Sequence, residues 1–355
     1  MSGTRSPAGA PADPPRSYED TEVGEVIGPV TYGPLTVMHL VRWGAALENW
    51  HRIHYDWPFC VDHEGLPGPV VNGSWKQQVL AQLLKDWAGH TGWLHALEFE
   101  FRGMDVVGAT LRAAARVTSR TAREDHGEVH CAIELTNDAG RATTIGRAVV
   151  RLPLRDGPPV RYPLDPDDTC GFSGRATDTA ACPPEYRDYV GATSEELVST
   201  DAVDPSSLRR FTQAVMVRDP DCFDASGAGA RRYGGLVGPP LYPLYALRVP
   251  PDGDDPLERT RQDPDFDGAA HTPWASFGLP ELPGAPTRIL NGGYGIDLFS
   301  YVPVGTHIAV RSRYADISRK VGRSGPLLFV STVSTYTVHE TGQLLVRSRQ
   351  TTILR

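Results

Sequence analysis

The segment ENWHRIHYDW, residues 48–57, holds the side chains of this sequence that are best suited to proton transfer. His51 and His54 lie three positions apart, and an imidazole, whose ordinary pKa is about 6.5, can give or take a proton near neutral pH. Asn49 carries an amide that cannot take a proton at neutral pH, so we expect it to orient water or an imidazole. A structural role for His54 and a packing role for His51 are the alternatives.

Charged side chains surround the two histidines. Glu48 and Asp56 are the candidates for a carboxylate that assists an imidazole. Arg52 is expected to form a structural ion pair with a nearby acid such as Asp56. At this point two interpretations of the segment are open, a reaction centre and a polar loop that is rich in titratable side chains.

Two helices are predicted on either side of this segment. The first begins near Thr36, and the second, SWKQQVLAQLLKDWAG, begins at Ser74 and ends at Gly89. Gly73 precedes the second helix, where a free backbone N–H and the helix dipole favour developing negative charge. Asn72 and Ser74 are ordinary N-cap residues, and Gly73 is alternatively a glycine that only lets the chain enter the helix.

Alternating apolar and polar residues predict antiparallel strands after the second helix, in WLHALEFEFRG, TLRAAARVTSR and residues 128–152. One helix wrapped by several such strands is an α+β unit, here residues 18–155. Residues 156–185 are rich in Pro, Gly and Asp, which predicts a linker. The same pattern returns in residues 186–355, so the chain is predicted to be an internal duplication. The second copy has an additional Pro/Asp-rich excursion from about residue 249 to residue 286, long enough to cover a site.

The two copies differ at the positions that chemistry would need. In register, His54 lies opposite Cys222 and Asn49 lies opposite a valine. When the loop is aligned with a gap of one residue, Gly73 lies opposite Pro240, which has no backbone N–H. Any chemistry is therefore expected in the first copy, and a tunnel-lining and structural role is expected for the second.

Composition excludes several classes of function. The chain has 355 residues, 40% hydrophobic and 22% charged, and can bury a substantial core. Its net charge is −8 and lysine occurs only at Lys76, Lys85 and Lys320, so nucleic acid is not an expected partner. No stretch approaches the roughly 20 apolar residues of a membrane helix. Five widely spaced cysteines indicate cytoplasmic thiols, with neither a disulfide framework nor a metal site, and no cofactor is expected. Residues 1–17 are expected to be a disordered tail without a signal peptide.

The two-copy layout, the RIHYD element, the GLPGPVVNG loop before a helix and the closing GRSGPLLFVSTVSTYTVHETGQLLVRSRQTTILR resemble the MaoC-like hydratase/dehydratase group of hotdog-fold proteins. That group's usual signature reads Asp-x-Asn-Pro-Ile-His. Here Asn49 stands at the Asp position, His51 at the Asn position and Arg52 at the Pro position, while His54 is kept. The variant is similar to the branch of mitochondrial 3-hydroxyacyl thioester dehydratases and mesaconyl-C4-CoA hydratases. In this chain the copy that bears the histidine comes first, and the copy similar to the FAS1-like dehydratase N-terminal module comes last.

The resemblance implies a double hotdog fold of the α+β class. Each copy would wrap an antiparallel sheet around a central helix, and the two sheets would join edge to edge across a pseudo-twofold axis. It implies catalytic roles for His54 and Asn49, and an oxyanion role for the backbone N–H near Gly73. Substrate contacts are expected from His51, Tyr55, Asn72, Ser74, Asn291, Gly292 and Arg323. From the residues alone, Asn291 and Gly292 form a turn signal and Arg323 is a surface-loop arginine.

The expected function is the reversible addition or elimination of water at C2–C3 of an acyl thioester of coenzyme A or acyl carrier protein. Such a reaction needs a base, an acid and stabilisation of the enolate oxygen. One alternative keeps the fold and the thioester but changes the reaction to that of a thioesterase, isomerase or cyclase, and Asn49 in place of an acid favours it. A second alternative is a non-catalytic subunit that needs a partner. A monomer or a homodimer of the double unit is expected.

Overall fold

The computed structural model describes residues 16–174, 182–248, 253, 255–269, 277–286, 289–322 and 325–355. The first copy contains strand β1 (Val26–Tyr32), helices α1 (Val37–Leu47) and α2 (Gly73–Ala88), and strands β2 (Trp93–Phe101), β3 (Leu111–Ala122), β4 (His126–Thr136) and β5 (Ala142–Pro153). The second contains β6 (Leu197–Val198), α3 (Pro205–Ala214), α4 (Ala228–Tyr233), α5 (Pro256–Gln262), β7 (Ile289–Leu298), β8 (Ile308–Gly322), β9 (Gly325–Val338) and β10 (Leu344–Leu354). Residues 1–15 of the predicted tail lie outside the described residues.

All ten strands form one antiparallel sheet in the order β1-β3-β4-β5-β2-β7-β10-β9-β8-β6. The two copies meet where β2 pairs with β7, with Ala96 opposite Asp297 and Phe99 opposite Tyr294. The strand order is the same outward from this seam on both sides, which places a pseudo-twofold axis at the seam. The predicted edge-to-edge arrangement is confirmed.

The predicted register of the two copies is also confirmed by the backbone. A residue in the left-handed region follows each of the helices α1 and α3: Glu48, directly after α1, has φ 55°, and Met216, two residues after α3, has φ 57°. Each is followed by a single 3₁₀ turn, ending at His54 in one copy and at Cys222 in the other. The thiol of the second copy therefore occupies the position of the imidazole in the first.

Helix α2 is the central helix of the first copy and is buried on almost every side. Leu80 and Leu84, which lie one helical turn apart, are fully buried. Its polar positions are also covered by the sheet and by the second copy. Lys76, for example, is 2% exposed and forms an ion pair of 2.7 Å with Asp105.

The second copy differs from the first at its central helix. At the equivalent position the described residues contain a 3₁₀ turn, Tyr242–Tyr245, rather than a helix of several turns. Three prolines, at positions 239, 240 and 243, lie at the start of this segment and reduce the number of backbone N–H groups that can donate hydrogen bonds there. The core is nevertheless continuous across the copies, with Trp43 of α1 packing on Phe211 of α3 at a ring distance of 5.0 Å. No helix in the described residues is long and apolar enough to cross a membrane.

Candidate active site

His54 ends the 3₁₀ turn Arg52–His54 and is only 9% exposed. Its Nδ1 lies 2.8 Å from the carbonyl oxygen of Val70. Because a carbonyl only accepts hydrogen bonds, Nδ1 carries the hydrogen and Nε2 is the unprotonated nitrogen. Burial lowers the pKa of His54 to about 4, against the opposing effect of the Val70 hydrogen bond. At neutral pH the ring is therefore a neutral imidazole whose free base is Nε2.

The same backbone segment joins His54 to the start of α2. The N–H of Val70 donates to the carbonyl of Ile53 at 2.8 Å, so residues 53–54 and Val70 bind each other through two hydrogen bonds. Three residues later the chain enters α2 at Gly73. A Cβ at Gly73 would lie 3.1 Å from the ring of Phe101, so a side chain there would crowd this ring. The structure thus binds the predicted imidazole to Val70, three residues before Gly73, where the predicted oxyanion N–H lies.

Asn72 is the N-cap residue of α2 and is 2% exposed. Within the described part of the chain, neither its amide nitrogen nor its amide oxygen has a hydrogen-bond partner. Asn72 also lines a cavity of about 10 Å³, which has the size of a single water. Since unpaired buried amides are costly, this side chain is the one at the helix start with bonding capacity left for a ligand or a water.

Two other predicted substrate contacts already have protein partners. The Ser74 hydroxyl accepts a hydrogen bond of 2.9 Å from Trp43 Nε1. The Tyr55 hydroxyl donates to the Trp50 carbonyl at 2.7 Å, and burial raises its pKa. Both contacts hold the site's framework together.

Asn49 follows α1 and fixes the start of the loop. Its N–H donates to the Gly44 carbonyl at 2.9 Å, and its side-chain Oδ1 accepts from the His51 N–H at 3.2 Å. The amide therefore positions the backbone of His51.

His51 lies beside His54, with ring centroids 5.7 Å apart and planes at 86°. Burial lowers the pKa of His51, while the carboxylates of Asp267 and Glu64 act to raise it. The Nε2 of His51 is 3.9 Å from an Asp267 carboxylate oxygen. Asp267 belongs to the excursion of the second copy, so the site includes a residue that sequence reasoning missed.

The predicted ion pair of Arg52 is confirmed. Its Nε donates to Asp56 at 2.8 Å, and its guanidinium lies over the Phe59 ring at 4.2 Å. Its Nη1 donates to the carbonyls of Pro264 and Phe266 at 2.6 and 3.1 Å. Arg52 therefore connects the site loop of the first copy with the excursion of the second.

Asn291 and Gly292 lie within strand β7, so the turn interpretation is wrong. Asn291 is exposed and its Oδ1 accepts from the Gly293 N–H at 3.0 Å. This end of β7 runs beside β2 near Phe99. Phe101, two residues further along β2, has the ring that faces Gly73. Arg323 lies outside the described residues.

The position of His54 is filled differently in the second copy. Cys222 is 3% exposed and sits beside Asp219 and Asp221, which bind the Lys85 ammonium of α2 at 2.6 and 2.7 Å. Burial alone would lower the pKa of Lys85, but the two carboxylates hold it well above its usual value. In the second copy, the thiol that takes the position of the imidazole therefore lies beside a buried ionic cluster. In the described residues no group of three or more His, Cys, Asp or Glu side chains has the arrangement of a metal site.

Two protein families match the sequence. Residues 8–109 match the family Hydroxyacyl-thioester dehydratase type 2, and residues 189–346 match the FAS1-like, dehydratase domain region. The expected resemblance is confirmed for both copies, and both descriptions support dehydratase or hydratase activity in general. No curated protein matches the chain significantly.

Solved structures share the fold at low sequence identity. A MaoC domain protein described as a dehydratase, from Chloroflexus aurantiacus, is 13% identical with a TM-score of 0.63 over 97% of this chain and 99% of that one. A conserved hypothetical protein from Mycobacterium tuberculosis, described as a double hotdog, is 14% identical with a TM-score of 0.59 over 96% and 98%. The peroxisomal multifunctional enzyme type 2 from Drosophila melanogaster is 13% identical with a TM-score of 0.51 over 92% of this chain and 48% of that one. The fold of this chain is a double hotdog.

Proposed function

We propose that this chain is a hydro-lyase that reversibly adds or removes water at C2–C3 of an enoyl or 3-hydroxyacyl thioester of coenzyme A or acyl carrier protein. The observation that carries the proposal is the hydrogen bond between Nδ1 of His54 and the Val70 carbonyl. It fixes the imidazole tautomer and ties the ring to the segment that enters α2. The family matches of both copies add independent support.

In the dehydration direction, Nε2 of His54 takes the proton from C2, and the electrons of that C–H bond form the C2–C3 double bond. The hydroxyl on C3 leaves as water once it has received a proton. Negative charge that develops on the thioester oxygen is stabilised by backbone N–H groups at the start of α2, beginning with Gly73. Because burial keeps His54 neutral down to about pH 4, the ring is in the basic form before reaction.

The remaining residues have supporting roles in this proposal. Asn72 offers an unpaired amide to the thioester or to a water, while Asn49 orients His51 through its backbone. Tyr55 and Ser74 shape the wall of the site through their protein contacts. Asn291 and Gly292 line the acyl chain from β7.

The test is turnover of a panel of 2-enoyl and 3-hydroxyacyl thioesters, on both carriers, followed by mass spectrometry. Wild-type protein should gain or lose water, and His54→Ala should be slower by roughly 10² to 10⁴ because it removes the acid/base group. His339→Ala is the control, since His339 follows β9 in the second copy and 47% of its side chain is exposed. The control should keep wild-type rates.

Three results would contradict the proposal. Release of free thiol without hydration would assign a thioesterase. Rates unchanged in His54→Ala would remove the imidazole from the chemistry. Activity in Asn49→Asp but not in wild type would mean that the hydration site is retired in this chain.

A further inference from the structure

The excursion of the second copy is bound to the site loop of the first by main-chain contacts. Besides the two carbonyls that accept from its side chain, Arg52 donates its own backbone N–H to the carbonyl of Asp267 at 2.7 Å. These bonds join residues more than 200 positions apart in the sequence. The excursion is therefore part of the wall of the candidate active site.

Gly268 lies at a close backbone approach between the excursion and the site loop. It is buried, its φ is +85°, and a Cβ there would lie 2.1 Å from the carbonyl oxygen of Trp50. Only glycine allows this backbone approach without displacing one of the two segments. The approach in turn fixes the neighbouring residue, Asp267, beside the loop.

The Asp267 carboxylate is held in place and directed at an imidazole. One oxygen accepts from the Ala269 N–H at 2.8 Å, and the other lies 3.9 Å from Nε2 of His51. The ring of His51 also lies near the ring of His54, with centroids 5.7 Å apart. His51 is therefore close both to a carboxylate and to the imidazole that is proposed to take the C2 proton.

The carboxylates that the sequence suggested are bound elsewhere. Glu48 is exposed and its carboxylate lies 3.9 Å from Arg248. Asp56 binds Arg52 at 2.8 Å and accepts from the Phe59 N–H at 3.2 Å.

We infer that His51 is the second proton-transfer group of the site and that Asp267, supplied by the second copy, is its positioning residue. The inference rests on the proposed function. Elimination of water needs a proton for the leaving hydroxyl as well as a base for C2, and the amide of Asn49 supplies neither. His54 takes the C2 proton, the C3–O bond breaks, and protonated His51 gives its proton to the departing hydroxyl. A proton returned from His54 to His51 through solvent resets the pair.

Three charged or titratable groups face His51: Asp267 from the excursion, Glu64 from the end of the π-helix Phe59–His63, and His54 from the 3₁₀ turn. The two carboxylates favour the imidazolium form that the donor role needs, but burial outweighs them and keeps the pKa of His51 below its ordinary value, so the donor is the protonated fraction of this histidine. Neutralising Asp267 therefore removes one of the two groups that raise the pKa of His51.

The experiment compares Asp267→Asn, Asp267→Glu and the matched control Asp265→Asn in the full chain. Asp265 is exposed in the same segment and loses the same charge. With a turned-over thioester, Asp267→Asn should lower kcat by roughly 10²-fold with little change in KM, because a proton-transfer step is impaired while binding is kept. The basic limb of its pH profile should move to lower pH, because the proton donor then loses its proton earlier. Asp267→Glu should recover part of the rate, and Asp265→Asn should match wild type.

A second measurement does not depend on turnover. In NMR titrations of the histidine rings, the pKa of His51 should be lower in Asp267→Asn than in wild type, and unchanged in Asp265→Asn. An unchanged His51 titration, or an unchanged kcat and pH profile in Asp267→Asn, overturns the inference. Absence of turnover in wild type with a lowered His51 pKa in Asp267→Asn would instead refute the proposed function and keep the pairing of Asp267 with His51.

Discussion

Acid should destabilise this protein partly through one buried histidine, His95 of β2. His95 is 0% exposed, and neither ring nitrogen has a hydrogen-bond partner among the described residues. The carboxylate of Asp168 comes no closer than 4.0 Å to its Nε2. Burial, together with the nearby Arg151 guanidinium, lowers the pKa of His95 to about 4. The folded protein therefore holds this ring in its neutral form.

The size of the effect follows from the difference between the two states. An unfolded histidine has a pKa of about 6.5, so below that pH the unfolded chain binds a proton that the folded chain does not bind. Each pKa unit corresponds to about 1.4 kcal/mol. The free energy of unfolding of wild type should therefore fall by about 3 kcal/mol at a pH below both pKa values, and by about 2.5 kcal/mol at pH 4.5. The stability is fully present above the unfolded pKa and is lost as the pH falls towards 4.

The assay is urea unfolding of wild type and of His95→Asn at pH 7 and pH 4.5. Asparagine is polar and does not titrate, so the fall in the free energy of unfolding between the two pH values should be smaller by about 2.5 kcal/mol in the variant. This comparison is independent of any constant loss of stability caused by the substitution. His339→Asn is the control, because 47% of that side chain is exposed. An equal pH dependence in wild type and His95→Asn would refute the reasoning.

Two further substitutions test the packing between the copies and within the sheet. Lys85→Met should lower the free energy of unfolding by about 3 to 5 kcal/mol, because it leaves two buried carboxylates without their ammonium; Lys320→Met, at an exposed lysine, should have little effect in the same urea experiment. Gly146→Ala should cost about 1 to 3 kcal/mol, since its Cβ would lie 1.9 Å from the backbone oxygen of Glu98. Gly103→Ala, with no atom closer than 3.6 Å to its Cβ, is the control for thermal unfolding, and equal melting temperatures would contradict the prediction.

Much of the local structure could be predicted because it depends on residues close together in the chain. Thr36 precedes α1, and Gly89 ends α2, as the capping patterns predict. The alternation of apolar and polar side chains predicted the long strands, because a strand with one buried face has a period of two residues. The duplication gave the register that sets His54 opposite Cys222, and the paired 3₁₀ turns confirm it.

The sequence by itself determined a duplicated α+β architecture and the copy in which chemistry is expected, because periodicity, caps and an internal repeat are local signals. The double hotdog fold was implied by the resemblance to MaoC-like proteins. Only the tertiary structure decided which distant groups meet: Asp267 beside His51, and Lys85 between the two aspartates of the second copy. These contacts join residues more than 130 positions apart. They depend on how the second copy packs against the first, and no pattern of neighbouring residues predicts which of these distant residues come into contact.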